Sequence, residues 1–226
     1  MKNFAVLLAG GSGKRTEKDT PKAFLKINDL YLLEYSLLEF SKSRNIDHII
    51  LVVPEEYLGL TTKIIQDKQY SKVMHIISGG NSRFESSYRG IKKIEAQEAQ
   101  VLIHDTARPF VSQEIINSCI KKLQNFDAVN TLAPLSDSLV LMKDKQISQT
   151  LDRNAYRQVQ TPQAFRLTSI LKAHEQALIN GDQDITDDYQ LVLKYQTGRC
   201  SWIDGDSMNF KITYAADLNM AEKLSR

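Results

Sequence analysis

The chain has 226 residues, 42% of them hydrophobic and 25% charged, and 29 Lys+Arg against 27 Asp+Glu leave a formal charge of +2. This composition suits a globular protein with an ample core, and it excludes intrinsic disorder and a surface basic enough to wrap nucleic acid or coat an anionic membrane. The length fits one large domain over 1–226. Cys119 and Cys200 are too few for a disulfide framework and suggest reduced thiols in a cytoplasm. No segment reaches the ~18 consecutive apolar residues of a membrane span. Phe4–Ala9 is also shorter than the ~7–15-residue core of a signal peptide. The expectation is a cytoplasmic protein with neither nucleic acid nor membrane as a partner.

Phe4–Ala9 is continuously apolar and ends in glycines, as a strand covered on both faces does. Leu32–Ser43 has helical spacing, with Leu33, Leu37, Leu38 and Phe40 toward one face. A strand over Ile49–Val53 stops at Pro54, Glu55–Lys68 reads as helix, and Val73–Ile77 reads as a third strand ending at Gly79-Gly80. Ser82–Glu95 is expected to be helical, Val101–Ile103 a short buried strand, and Ser112–Asn125 a helix capped by Ser112. Ala128–Leu132 is a further strand. Strands alternating with helices imply βαβ units: an α/β, Rossmann-like fold with a mostly parallel sheet and helices on both faces.

The alternation then breaks. Ser138–Met142 and Ile147–Leu151 flank the polar turn Lys143-Asp144-Lys145-Gln146, a hairpin with little core of its own. An isolated two-stranded hairpin is marginal in water, so 136–159 is expected to project as a β-arm and to pack on a second copy of the chain. Leu167–Leu178 returns to helical spacing. A last strand is expected around Ser201–Ile203 and Lys211–Thr213, with a C-terminal helix from about Ala215. In open parallel sheets, ligands bind beyond the carboxyl ends of the strands.

The loop that leaves the first strand, Ala9-Gly10-Gly11-Ser12-Gly13-Lys14-Arg15, matches neither familiar phosphate motif. A Walker-A loop would place Gly at position 8 and Ser or Thr at 15, where Leu8 and Arg15 stand. A dinucleotide fingerprint starting at Gly11 would need Gly or Ala at position 16, which is Thr16. Three glycines still let the backbone turn its N–H groups toward anionic oxygens. Lys14, Arg15, Lys18 and Lys22 add positive charge beside them. The pattern suits a polyphosphate.

That loop with Pro21-Lys22 resembles the signature of nucleotidyltransferases that activate sugars and polyols. Five further segments narrow the resemblance to cytidylyltransferases acting on methylerythritol phosphate and, as close relatives, ribitol phosphate. They are Gly79–Ser86, His104–Pro109, Thr161–Phe165, Thr186–Asp188 and Asn209–Thr213. Because they fall in the family's order, the resemblance covers essentially the whole chain. It implies transfer of a cytidylyl group from CTP to a polyol phosphate with release of pyrophosphate.

The resemblance also implies roles. Arg15, Lys22 and Lys211 would be the catalytic cations. Ala9, Gly10, Gly11, Ser12, Gly13, Gly80, Asn81, Arg83 and Ser86 would bind the nucleotide, with Ser86 at cytosine and Arg83 ordering its loop. Asn81 stands where family members often carry Asp. Asp105 would hold Mg²⁺ as the principal ligand, with Asn209 the weaker second, since Mg²⁺ takes one or two protein oxygens beside phosphates and waters. Arg153 and Ser138 would clamp the polyol phosphate, with Thr161 a further substrate contact. The family passes its arm across a homodimer, so Arg153 and Ser138 would enter the neighbour's site. His104 reads as a structural histidine, Arg108 as a loop anchor, and Asp187 and Asp188 as helix-opening residues without a catalytic part. The acceptor phosphate monoester has a second pKa near ~6, so no general base is needed. Methylerythritol phosphate and ribitol phosphate both remain open as acceptors.

Overall fold

The computed structural model describes residues 1–10 and 20–225. β1 (Lys2–Leu8) is the apolar run at the N-terminus. A small hairpin follows, β2 (Lys26–Ile27) and β3 (Leu30–Tyr31), turned by Asn28 at φ 51°. Then come α1 (Leu32–Lys42), β4 (His48–Val53), a 3-10 turn at Glu55–Tyr57 and α2 (Leu58–Asp67). β5 (Val73–Ser78), α3 (Arg83–Lys92), β6 (Ala99–Asp105), α4 (Gln113–Lys122) and β7 (Ala128–Ala133) continue the alternation. β8 (Leu139–Lys143) and β9 (Gln146–Leu151) form the arm. β10 (Gln158–Arg166), α5 (Leu167–Asn180), α6 (Tyr189–Tyr195), β11 (Cys200–Asp204) and α7 (Ala215–Leu224) complete the chain.

Among the described residues, seven strands form one sheet in the order β11-β7-β10-β6-β1-β4-β5. Every pairing is parallel except those of β10, which runs antiparallel to both β6 and β7. Side chains alternate across a strand. Accordingly Ala5 and Leu7 of β1 enter one core with Leu33, Leu37 and Phe40 of α1 and Ile116 of α4. Phe4, Val6 and Leu8 enter the other, with Phe84 and Ile91 of α3 and Ile170 and Ala173 of α5. Helices therefore cover both faces, and the continuous apolar character of β1 and β4 follows from burial on both sides.

α3 comes close to the sheet at Gly90, where a Cβ would lie 2.5 Å from Val6 Cγ1. Gly90→Ala gains about 1 kcal/mol of helix propensity but overpacks the contact at a cost of about 1–3 kcal/mol. The expected result is a lower midpoint of chemical denaturation at unchanged slope.

The arm forms a separate two-stranded sheet. Asp144 and Lys145 turn it at φ 49° and 64°, the mirror-image turn that suits the twist of a hairpin. Val140, Leu141, Met142 and Ile147 are exposed along it.

Three expectations are corrected. The first turn after Pro54 is 3-10, so α2 begins at Leu58 rather than Glu55. Lys211–Thr213 is no strand, because Lys22 Nζ takes the carbonyls of Ile212 (3.3 Å) and Thr213 (2.8 Å). Asp217 there accepts the N–H groups of Thr213 and Tyr214 as it caps α7. Finally, Gln158–Arg166 is a central strand of the sheet, where the expectation was the end of the arm and a family motif with no strand assigned.

Candidate active site

The carboxyl ends of β1, β4, β5 and β6 bring four of the motifs together. β1 delivers Ala9, whose N–H donates to Val52 O at 2.8 Å, and then Gly10, where a Cβ would lie 3.7 Å from Ser86 Oγ. Beyond β5, Gly80 N–H donates to Ser86 Oγ at 3.0 Å. Gly80 accepts no side chain, since a Cβ would sit 2.3 Å from Glu85 Cβ. Ser82 is the N-cap of α3, accepting from Glu85 N–H at 3.1 Å. Asn81 is exposed, and its N–H donates to Glu85 Oε2 at 2.8 Å. Gly10, Gly80 and Ser86 thus converge on one spot. Gly11, Ser12, Gly13 and Arg15 lie outside the described residues.

Asp105 ends β6 beside them and is 8% exposed. Its Oδ1 accepts from Arg83 Nε at 3.1 Å and its Oδ2 from Lys211 Nζ at 2.7 Å. Burial works to raise the Asp105 pKa, but the Arg83 and Lys211 charges outweigh it and hold the carboxyl far below the ordinary carboxylate range. Lys211 arrives from the far end of the chain because its segment docks on the loop after β6, through Ile212 N–H to Ala107 O at 2.8 Å. Ile212 is fully buried with Ile27, Leu32 and Ala221, so β2, the start of α1 and α7 hold the segment. Lys22 reaches the carbonyls of residues 212 and 213 from the other side. Two lysines about 190 positions apart in sequence therefore meet at one peptide segment.

A buried network supports Asp105. Its N–H donates to Thr161 Oγ1 at 3.1 Å, and Thr161 Oγ1 also lies 3.1 Å from His104 Nδ1. His104 Nε2 faces Arg108 O at 3.0 Å. The neutral ring protonated at Nε2 satisfies all three contacts, and burial keeps it neutral by pushing its pKa down to about 4. Arg108 ties β10 to the segment before Lys211, donating to Asn209 O at 2.9 Å and to Val159 O at 3.1 Å. Asn209 Nδ2 donates to Thr161 O at 2.8 Å and to Gln160 Oε1 at 3.2 Å, while its Oδ1 is buried without a hydrogen bond among the described residues.

Thr161, expected as a substrate contact, lies inside this network. It is 4% exposed with both faces of its hydroxyl engaged, so it braces Asp105 from behind. Arg153 and Ser138 are exposed on the arm, where Arg153 Nη1 donates to Ser136 O. Among the described residues, no hydrogen bond or ion pair joins either of them to Asp105 or Lys211. Asp187 behaves as a helix-opening residue, accepting from Gln190 N–H at 3.2 Å. Asp188 opens the helix too, as the N-cap residue of α6, but its carboxylate makes no cap bond: it is fully buried and accepts from Arg83 Nη1 at 2.7 Å, Ser87 Oγ and His174 Nε2 at 3.1 Å. Burial favours its neutral form, yet Arg83 above all, then His174, hold its pKa at about 2. Sequence reasoning missed this role. The available signal was His174 on the apolar face of α5, a ring nitrogen able to hydrogen-bond a buried acid.

Residues 4–226 match the family model of 2-C-methyl-D-erythritol 4-phosphate cytidylyltransferase. Among curated relatives, the chain is 36% identical over 224 residues to the 2-C-methyl-D-erythritol 4-phosphate cytidylyltransferase of Lachnospira eligens, covering 97% of each. It is 35% identical over 228 residues to the bifunctional ribulose 5-phosphate reductase/CDP-ribitol pyrophosphorylase Bcs1 of Haemophilus influenzae, covering 99% of this chain and 48% of that protein. Its backbone matches the crystal structure of 4-diphosphocytidyl-2C-methyl-D-erythritol synthase from Anaerococcus prevotii with a TM-score of 0.86 at 28% identity, covering 100% and 96% of the two chains. No helix among the described residues is long and apolar enough to cross a membrane. Ordered motifs, sheet topology and full-length similarity agree: the chain belongs to the 2-C-methyl-D-erythritol 4-phosphate cytidylyltransferase family.

Proposed function

We propose that this protein transfers the cytidylyl group of CTP to 2-C-methyl-D-erythritol 4-phosphate, a step of isoprenoid precursor synthesis. The observation that carries the reading is that Lys22 holds the carbonyls of the segment whose Lys211 pairs with Asp105, next to the Gly10–Gly80–Ser86 cluster. An oxygen of the acceptor phosphate attacks the α-phosphorus of CTP. The new O–P bond forms as the bond to the β-phosphate bridging oxygen breaks, and pyrophosphate leaves with that electron pair. No proton has to move, because the acceptor is dianionic near neutral pH. Catalysis then consists of positioning and of cations placed where negative charge develops. Lys22, Lys211 and Arg15 fill that role, and Ser86 retains a hydroxyl proton for cytosine.

The donors suit Mg²⁺. Among the described residues, no group of three or more His, Cys, Asp and Glu could hold a metal by itself, but Mg²⁺ needs only one or two protein oxygens when substrate phosphates supply others. Asp105 is ionised and hard, and the buried Asn209 Oδ1 is uncommitted. Asp105 would hold the ion, with Asn209 second. Bound there, the ion would neutralise phosphate charge.

Arg153 and Ser138 serve a neighbour's site in this reading. The exposed Val140, Leu141, Met142 and Ile147 on a hairpin marginal in isolation support a homodimer with exchanged arms. Arg153→Ala and Lys211→Met homodimers are each expected to be inactive. Mixed by subunit exchange, they recover about a quarter of wild-type turnover, because each mixed dimer has one intact site. An Arg153 acting within its own chain gives no recovery.

The direct test is pyrophosphate release from each of the four nucleoside triphosphates with 2-C-methyl-D-erythritol 4-phosphate or ribitol 5-phosphate. The expected result is turnover with CTP and the branched acceptor, with kcat/KM higher than for ribitol 5-phosphate. The similarity to the Haemophilus influenzae protein makes ribitol 5-phosphate the informative competitor. One methyl group is worth about 1–3 kcal/mol of discrimination, so a reversed preference overturns the acceptor assignment and leaves the chemistry standing.

A further inference from the structure

The transfer chemistry leaves Asp188 without a task, yet it is a fully buried acid with three side-chain donors around it. Gln163 Oε1 on β10 fixes its backbone, accepting from Asp188 N–H at 3.1 Å and Tyr189 N–H at 3.2 Å. The Arg83 guanidinium bridges two carboxylates on different elements, with Nη1 2.7 Å from Asp188 Oδ2 and Nε 3.1 Å from Asp105 Oδ1. A planar fork gripped at one end has its other end fixed in direction. Burying such a pair contributes little net stability compared with apolar packing of the same volume. Its effect is on geometry, and the geometry it controls is that of Asp105.

Building on the cytidylyl-transfer reading, we propose that Asp188 is a positioning residue that grips one end of Arg83 and thereby sets the orientation of the Asp105 carboxylate. Without that grip, Arg83 can turn both donors onto Asp105 and draw its oxygens away from the substrate phosphates.

The test is a double-mutant cycle with Asp188→Asn, which keeps the shape and removes the charge. At saturating substrates kcat per folded molecule is expected to fall at least about tenfold, with KM for CTP within about threefold. In the Asp105→Asn background the same change alters kcat by less than about twofold, because the loss runs through Asp105. Ser87→Ala also touches Asp188 but not Arg83, and it leaves kcat within about twofold. An equal loss in both backgrounds, or an unchanged kcat, overturns the proposal. Should Asp188→Asn fail to fold, Arg83→Lys replaces it in the same cycle, since an ammonium cannot span both carboxylates in a fixed plane. A readout without turnover separates this idea from the assigned reaction. Solvent exchange of the Arg83 Nη1 protons, the donors that Asp188 holds, followed by ¹⁵N NMR, is expected to accelerate about tenfold or more in Asp188→Asn. Unchanged protection overturns the positioning role whatever the enzyme's activity.

Discussion

Lys211→Met is expected to lower kcat by about 10²–10³, the loss typical when one charge-stabilising donor is removed from a preorganised site. Methionine keeps the length of the stem and removes the charge. The fold survives, because the segment is anchored by Ile212, which is fully buried and bonded to Ala107 O at 2.8 Å. The Lys211 side chain is 45% exposed, and half-exposed ion pairs contribute about 0–1 kcal/mol. Denaturation midpoints should therefore barely move while pyrophosphate release collapses. A loss of less than about threefold contradicts a catalytic role.

Asp105→Asn is expected to damage both stability and turnover. Asp105 is nearly buried and bonded to Arg83 Nε at 3.1 Å and Lys211 Nζ at 2.7 Å, so its loss leaves positive charge uncompensated. Breaking a buried pair from one side costs about 3–5 kcal/mol. Asp188 still holds Arg83, and Lys211 can reach water, which places the expected loss near the lower bound, about 3 kcal/mol. Turnover falls at least as far as in Lys211→Met, and added Mg²⁺ does not restore it. Urea titration with steady-state pyrophosphate release reads both quantities. Unchanged stability contradicts the observed ion pairs, and near-normal turnover contradicts the active-site assignment.

The two variants separate charges that are neighbours in space but differ in burial. β1 and β4 were readable because burial on both faces leaves continuous apolar runs, and α4 because Ser112 caps it, accepting from Ile115 N–H at 3.2 Å. β10 was not readable. Its Gln160, Thr161 and Gln163 are polar, and Pro162 argues against a central strand. The register shift between Gln160 and Ala164 accommodates the proline. The polar side chains are buried for the site's sake: Thr161 braces Asp105, Gln163 fixes residues 188 and 189, and Gln160 meets Asn209. A strand that serves a buried polar network loses the hydrophobic pattern by which strands are recognised.

The site itself was legible as a set of motifs, not as geometry. Composition and spacing cannot show that Lys22 grips the carbonyls beside Lys211, nor that Arg83 joins Asp105 to Asp188. Asp188 was read as a helix-opening acid because it precedes a helix, a position where acids commonly cap. Only the fold places Ser87 of α3 and His174 of α5 around it. The short hairpin β2–β3 has two residues in each strand, below the length at which periodicity is visible. Asn28-Asp29 between Ile27 and Leu30 was its one available signal.

A crystal structure with CTP and Mg²⁺ tests the convergence of Lys22, Lys211 and Asp105 most directly. The account predicts the triphosphate against the glycine loop, cytosine beside Ser86, and the Nζ atoms of Lys22 and Lys211 within hydrogen-bond distance, about 2.7–3.2 Å, of its phosphate oxygens. CTP seated elsewhere on the molecule, or both ammonium groups turned away from its phosphates, would contradict it.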